Sequence, residues 1–401
     1  MTTMRHVVVV GASLAGLHAA RALRRHGYDG TLTVVGDEPH LPYDRPPLSK
    51  QVLAGTWEPE RTALLNARDD DLDLTWTLGR AATGLDPRAR TVALDDGTDV
   101  AYDGLVVATG ATPRRLADTE GLGGVHVLRS LDDAMALRAD LDAAPSRVVV
   151  VGAGFIGAEV AATARARGLP VTLVEPLPVP LGRVLGGAVA ETVAAVHRDE
   201  GVDLRLGVGV EAVEGGDRVE RVRLADGTTI DCDVVVVGIG VTPNTGWLEA
   251  SGLPLADGVL ADATCRVAPG IVAAGDVARW SHPTYGEDLR VEHWDHAIAQ
   301  GGHAAETLLA GDGGGVPFAP VPWFWSDQYD RKIMLAGRPA GAEEVRVVDG
   351  SLDERRFVAL YRRGDQVVAA LGMNRPAPLA RWRMRLADGV SWAEATSPPE
   401  P

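Results

Sequence analysis

Two ten-residue stretches of the chain are near copies of one another, VVVVGASLAG at 7 to 16 and VVVVGAGFIG at 148 to 157. In each, a valine run that reads as a buried strand meets glycines spaced for a sharp turn into a helix. In the second copy Gly152 permits the turn, Gly154 lets a pyrophosphate approach the backbone, and Gly157 lets helix and strand pack closely. A helix amino end there offers free N–H groups and a partial positive charge to phosphate. The first copy keeps Gly11 and Gly16 but carries Ser13 at the point of close approach. Serine is small and its hydroxyl can donate to a phosphate oxygen, so this loop is expected to bind as well. An acid at the end of the following strand would take the ribose hydroxyls. Glu175 stands eighteen residues after Gly157, close to the usual spacing of about 20. A carboxylate there accepts from a 2′-hydroxyl and repels a 2′-phosphate, so NADH is expected over NADPH. Arg183 lies just beyond, where it either softens that preference, binds phosphate or is a solvated loop residue. In the first copy Asp37 and Glu38 both lie near the strand end, and Asp37 is favoured.

The elements that must position these residues are duplicated too. Alanine-rich, helix-length stretches follow each loop at 17–26 and 158–167, then β-branched strands that end in acid at 31–38 and 170–175. Each half closes on a matching phrase, TVALDDGTDVAYDGLVVATGATPR at 91–114 and RVRLADGTTIDCDVVVVGIGVTPN at 221–244. These read as strand, DG turn, strand, buried valine strand, then glycine and proline. The fold class expected is α/β, with two Rossmann-like dinucleotide-binding domains plus a C-terminal α+β domain. The boundaries expected are 1–110 with 245–318 for the first, 111–244 for the second and 319–401 for the last. A glycine- and proline-rich stretch at 313–323 reads as a linker, and the polar end TSPPEP reads as disordered.

At 401 residues the chain is long enough for several domains, since each takes roughly 100 to 200. Its 46% hydrophobic and 23% charged residues are those of an ordinary globular protein. A net charge of −16 argues against nucleic acid as a partner. No apolar run approaches the length of a membrane span, and MTTMRHVVVVG is a strand entering a turn rather than a secretion signal, so no membrane partner and a cytoplasmic setting are expected. Against the overall acidity, 351–385 holds eight arginines and three acids, a local balance of +5. Cys232 and Cys265 form neither a disulfide framework nor a CxxC and read as core residues. The HWDH stretch at 293–296 has nothing nearby to complete a metal set, and no metal is expected.

Two dinucleotide sites in one chain suggest a relay. A flavin accepts a hydride and can release electrons singly, which nicotinamide does not readily do, so FAD is expected in the first copy and NADH in the second. The stretches PYDRPPLSK (42–50), ATGATPR, GAGFIGAE, GIGVTPN, AAGDVA (273–278), VEHWDHAIAQG (291–301) and WFWSDQYDRKI (323–333) resemble the FAD-dependent, NADH-dependent ferredoxin reductases of bacterial dioxygenase and cytochrome P450 systems. The resemblance covers essentially the whole chain in order, and Ser13 is its clearest departure. It implies that Gly11, Gly16, Arg45, Thr109, Gly110, Arg129 and Asp276 hold FAD and that Gly240 lines the NAD site. It further implies that Lys50 lies at the flavin ring near Glu159, with Trp294 and Trp325 at the flavin and Trp325 covering it. The implied partner is a [2Fe–2S] ferredoxin, and through it an oxygenase or cytochrome P450. No acid, base or nucleophile is strictly required; Lys50 and Glu159 are the residues expected to tune the reaction. Lys50 is one of only two lysines in the chain, the other being Lys332.

Each of these residues also has a plainer reading. Lys50 would be a structural turn residue, Glu159 a helix-start carboxylate, the two tryptophans core residues, and the arginines of 351–385 a solvated surface rather than a docking face for an acidic ferredoxin. A thiol-based reductase would need a cysteine in the first helix region, which has none. A flavin oxidase that reduces oxygen directly and a non-enzymatic redox sensor are the remaining alternatives.

Overall fold

The computed structural model describes residues 4–397, except the side chains of Arg183 and Val184; the last four residues of TSPPEP lie outside the described residues. The chain divides into two compact units, each assembled from three separated segments. The first comprises the residues up to Asp44, Thr62–Thr112 and Thr242–Pro320; the second comprises Arg45–Arg61, Pro113–Val241 and the residues from Val321 on. PYDRPPLSK is thus divided, with Asp44 in the first unit and Arg45 to Lys50 in the second.

In the first unit, strands run side by side in the order Arg266–Ala268, Ile271–Ala273, Gly104–Val107, His6–Val10, Thr31–Gly36, Leu74–Leu78. All are parallel except Arg266–Ala268 at one edge. The central valines are buried on both faces, which is why these strands read as continuous apolar runs rather than alternating ones. The second unit repeats the design with five parallel strands in the order Asp203–Leu206, Val171–Glu175, Val148–Val151, Val234–Val237, Val125–His126. Each unit also carries a three-stranded antiparallel sheet, in which the two strands around the DG turn are joined by the strand that precedes them, Ala82–Asp86 or Val210–Gly215.

The helices behind the glycine loops are Leu14–Arg25 and Phe155–Ala166. They begin three residues earlier than the alanine-rich stretches suggest, and end one earlier. Ser13 and Gly154 are the last extended residues, so the third glycine of each motif lies inside the first helical turn. Glu159 is consequently the fifth residue of its helix, beyond the four unpaired N–H groups that a carboxylate at a helix start would complement.

The second unit also holds a five-stranded antiparallel sheet in the order Trp323–Gln328, Arg331–Gly337, Gln366–Met373, Arg356–Arg363, Glu344–Ser351. Its alternation of side chains supplies two cores. Ile333, Leu335, Phe357 and Tyr361 pack with Val189 and Val193 of helix Gly187–Asp199, while Met334, Val358 and Leu360 pack with Leu379 of helix Pro376–Asp388. The stretch 313–323 has no helix or strand before Trp323, yet it is not a free tether: Phe318 is buried, and its carbonyl accepts from Trp280 Nε1 at 3.0 Å. Among the described residues no helix is long and apolar enough to cross a membrane.

Candidate functional site

The glycines of the two loops are set by backbone contact. Gly11 has φ +123°, and a Cβ on it would lie 2.0 Å from the Ala108 carbonyl oxygen; Gly152 has φ +97°, and its Cβ would lie 2.4 Å from that of Gly238. At the third position a Cβ on Gly16 would lie 1.9 Å from the Gly11 oxygen, and one on Gly157 would lie 2.0 Å from the Gly152 oxygen. Gly154 is different, because its nearest neighbour would be 3.9 Å away and its φ is −70°. A side chain fits there without strain, which explains how the first copy accommodates Ser13. Each loop therefore leaves a cradle, opening onto the amino end of a twelve-residue helix, that fits a dinucleotide pyrophosphate.

The two copies differ where the ribose acid should stand. Gly11 N–H donates to Val35 O, and Gly152 N–H to Val174 O, so Gly36 and not Asp37 occupies the position of Glu175. No side chain fits at Gly36, whose Cβ would lie 2.5 Å from that of Ala12. Asp37 is exposed one residue further out, and Glu38 accepts from the Tyr43 hydroxyl. Glu175 is buried, with its two oxygens accepting from the Ala153 and Leu177 N–H groups at 2.9 and 3.0 Å. Its carboxylate is thereby fixed against the loop it is expected to serve. Replacing Glu175 by Ser is expected to lower the NADH-over-NADPH preference in kcat/KM by about 10- to 100-fold, the worth of one charge-assisted hydrogen bond. Steady-state kinetics with both nucleotides measures it. The side chain of Arg183 lies outside the described residues.

Two residues that sequence reasoning passed over flank the second loop. Ile156 is 48% exposed and Ile239 37%, unusual for large aliphatic side chains. The matching positions in the first copy are Ala15 and Thr109. An apolar mouth at the second loop only suits a flat ring that arrives and leaves. Gly110 and Gly240 follow at matching positions with φ +67° and +96°. Thr109 and Gly110 are clasped by Asn244: Thr109 Oγ1 donates to Asn244 O at 2.9 Å, Asn244 Nδ2 donates to Thr109 O at 2.9 Å, and Asn244 N–H donates to Gly110 O at 3.0 Å.

In the second unit Lys50 and Glu159 form a buried ion pair. Lys50 Nζ lies 2.6 Å from Glu159 Oε2, and the side chains are 13% and 3% exposed. Lys50 Nζ also donates to the Pro46 carbonyl at 3.1 Å. Ser49 Oγ donates to Glu159 Oε2 at 2.5 Å and Ser326 Oγ to Oε1 at 2.7 Å. Three donors thus converge on one desolvated carboxylate, the condition under which a buried charge is tolerated. Ser49 and Ser326 lie in PPLSK and WFWSDQ, but nothing in either motif says which hydroxyl faces inward.

The remaining expected residues fall on both units. In the first, Asp276 lies in a short 3₁₀ turn after strand Ile271–Ala273, and Trp294 Nε1 donates to Asp44 Oδ1 at 2.6 Å. In the second, Arg45 Nη1 donates to the Arg129 carbonyl at 2.7 Å, and Trp325 is half-buried on strand Trp323–Gln328. Burial lowers His293 to about 4 and His296 to about 3, so both are neutral near pH 7. Among the described residues no group of three or more metal-ligating side chains is placed to hold an ion.

The +5 balance of 351–385 does not translate into a bare positive face. Arg355 pairs with Asp199, Arg362 with Glu343 and Glu344 at 3.1 Å, Arg375 with Asp349, and Arg385 with Glu394 at 2.8 Å. All five acids lie outside the counted window, so a running sum along the chain missed them. Arg356 and Arg381 are exposed.

Residues 5–301 match the pyridine nucleotide-disulphide oxidoreductase family, and residues 323–397 match the reductase C-terminal family. Rhodocoxin reductase of Rhodococcus erythropolis is 40% identical over 374 residues, covering 92% of this chain and 86% of that one. Putidaredoxin reductase of Pseudomonas putida is 35% identical, covering 97% and 93%. The solved ferredoxin reductase of the CYP199A2 system from Rhodopseudomonas palustris superposes with a TM-score of 0.92 at 36% identity, covering 98% and 97%. The reductase in the covalent putidaredoxin reductase–putidaredoxin complex gives 0.90 at 34%, covering 96% and 93%. The chain therefore belongs to the pyridine nucleotide-disulphide oxidoreductase family, whose members work with FAD and NAD(H), and it carries the reductase C-terminal region as well.

Proposed function

We propose that this chain is an NADH-dependent ferredoxin reductase that passes electrons through FAD to a [2Fe–2S] ferredoxin feeding a dioxygenase or a cytochrome P450. The observation that carries this reading is the inequality of the two cradles. Only the second has an acid locked in register and an apolar mouth, as a visiting dinucleotide requires. The assignment divides the chain as 1–110 with 245–318 for FAD, 111–244 for NAD and 319–401 for the C-terminal domain, with the exception that Arg45–Arg61 packs in the second unit, which also holds both later segments. Relatives named for ferredoxin, rhodocoxin and putidaredoxin reduction support the choice of acceptor.

When bound, FAD would supply the redox chemistry, hydride acceptance and one-electron release. The residues of the chain bind and orient. Gly152, Gly154 and the helix amino end hold the NADH pyrophosphate, Glu175 fixes the adenosine ribose, and Gly11, Ser13 and Gly16 hold that of FAD. The Lys50–Glu159 pair, a fixed buried charge distribution, is the element we assign to tuning the flavin. Thiol chemistry has no support: burial pushes the Cys232 and Cys265 thiols up to about 12, so neither supplies a thiolate. Two free buried cysteines also suit a reducing compartment, and the cytoplasm is the setting we assign.

The test is anaerobic mixing of the purified yellow protein with NADH, followed by turnover with a [2Fe–2S] ferredoxin. Bleaching of the flavin and reduction of the ferredoxin are expected; a chromophore that stays oxidised overturns the reading, and peroxide formation without ferredoxin reduction favours an oxidase. For docking, Arg381 and Met384 are exposed on one face of helix Pro376–Asp388, Met384 at 63%. Arg381→Glu is expected to lower kcat/KM for an acidic ferredoxin by about 3- to 10-fold at low salt, and to leave NADH–ferricyanide activity unchanged. The difference should fade as ionic strength rises. A salt-independent response would remove electrostatic docking from the account.

A further inference from the structure

Glu159 ends a line of buried hydrogen bonds that reaches well beyond the Lys50 pair. Ser326 and Gln328 are on strand Trp323–Gln328, His197 is on helix Gly187–Asp199, and Tyr329 follows Gln328 at φ +56°. Gln328 Nε2 donates to Ser326 Oγ at 3.1 Å, and Ser326 Oγ donates to Glu159 Oε1 at 2.7 Å. His197 Nε2 lies 3.1 Å from Gln328 Oε1, and His197 Nδ1 lies 3.0 Å from the Tyr329 hydroxyl. Ser326, Gln328 and His197 are all buried. The His197 imidazole is pushed down to about 4, chiefly by burial, and is neutral at physiological pH.

Chemistry fixes the direction of this line. An ionised carboxylate can only accept, so Ser326 must donate to Glu159 and must in turn accept from the Gln328 amide N–H. The Gln328 oxygen then faces His197, which must carry its proton on Nε2 and accept from Tyr329 on Nδ1. Every donor along the line points toward Glu159, and bonds so aligned polarise one another. The line does not carry a proton, because the Gln328 amide could pass one only by becoming an imidic acid. Its effect is on geometry and field.

We propose that Gln328 and His197 are positioning residues for the Glu159 carboxylate, placing and polarising the Ser326 hydroxyl that donates to it and so setting the electrostatics of the Lys50–Glu159 pair from a distance. This rests on the reading of that pair as the element that tunes the flavin. Without Gln328 the Ser326 hydroxyl still donates to Glu159, but its oxygen loses the N–H that polarises it, and its bond to the carboxylate weakens.

The test uses the FAD-loaded, full-length protein and three variants, Glu159→Gln, Gln328→Met and Tyr329→Phe. Two quantities are read: the midpoint potential of the flavin by anaerobic spectroelectrochemistry, and the rate of its bleaching by NADH with the accompanying KM. Gln328→Met is expected to slow bleaching about fivefold, the worth of one hydrogen bond, with KM unchanged within about twofold. It should move the potential in the same direction as Glu159→Gln, while Tyr329→Phe, at the outer end, moves it less. If Glu159→Gln shifts potential and rate but Gln328→Met shifts neither, the line is packing only and the proposal fails, leaving the role of the pair intact. If Glu159→Gln changes neither, the role of the pair fails and the proposal with it. Should Gln328→Met not accumulate, His197→Phe serves in its place with the same expected direction and the same overturning result.

Discussion

Gly157→Ala should all but abolish NADH-dependent flavin reduction, whereas Gly154→Ser should leave it nearly intact. The added methyl of the first variant lands 2.0 Å from the Gly152 carbonyl oxygen, and no rotation relieves a clash between Cβ and backbone. The helix must move away from the strand that precedes it, and its N–H groups leave the pyrophosphate position. A displacement that costs about 3 kcal/mol corresponds to a rise in NADH KM of about 100-fold. Gly154→Ser writes the first copy's residue into the second, at a point whose nearest neighbour is 3.9 Å away. Its NADH KM is expected to change by less than about threefold, because the added side chain is unstrained and its hydroxyl can donate to a phosphate oxygen, as expected for Ser13 in the first loop. Ferricyanide-coupled kinetics, read beside flavin content, separates these outcomes, since both variants leave Gly11 and Gly16 untouched. A Gly157→Ala protein with normal KM would mean the cradle is not where NADH sits.

Lys50→Met should destabilise the protein and slow hydride transfer together. Removing one partner of a buried ion pair leaves the other desolvated, which costs about 3 to 5 kcal/mol. Ser49 and Ser326 still donate to Glu159 in the variant, so the lower end of that range is expected. Adding Glu159→Met to Lys50→Met should restore part of the lost stability by removing the orphaned charge, but none of the lost rate. Urea unfolding midpoints and anaerobic bleaching rates measure the two effects. A single variant as stable as the parent would show that the pair contributes nothing to the fold.

Much of the architecture was legible because it rests on local signals. Valine runs at 7–10, 148–151 and 234–237 announce strands buried on both faces, and the glycines between strand and helix announce the turns. The position of Glu175 beside the second glycine loop was legible by spacing alone. That the matching position in the first copy is Gly36 and not Asp37 was not legible, because it follows from the close approach of Gly36 to Ala12. The arginine segment misled for the same reason: a window sum cannot see Asp199 or Glu394 arriving from elsewhere in the chain. The partners of Glu159 were hidden more deeply, since Ser49, Ser326, Gln328 and His197 come together from three distant stretches and no spacing rule links them.

The interrupted course of the first unit governs how the protein can be made. Its strand Gly104–Val107 is flanked on one side by His6–Val10, available early, and on the other by Ile271–Ala273, which is synthesised more than 160 residues later. Until that strand leaves the ribosome, a nascent chain presents an apolar parallel edge with nothing to cover it, a template for association with other chains. Truncation anywhere before residue 271 should therefore yield aggregates rather than a smaller flavin-binding fragment, and expression at low temperature or with a holdase chaperone should raise the yield of intact protein.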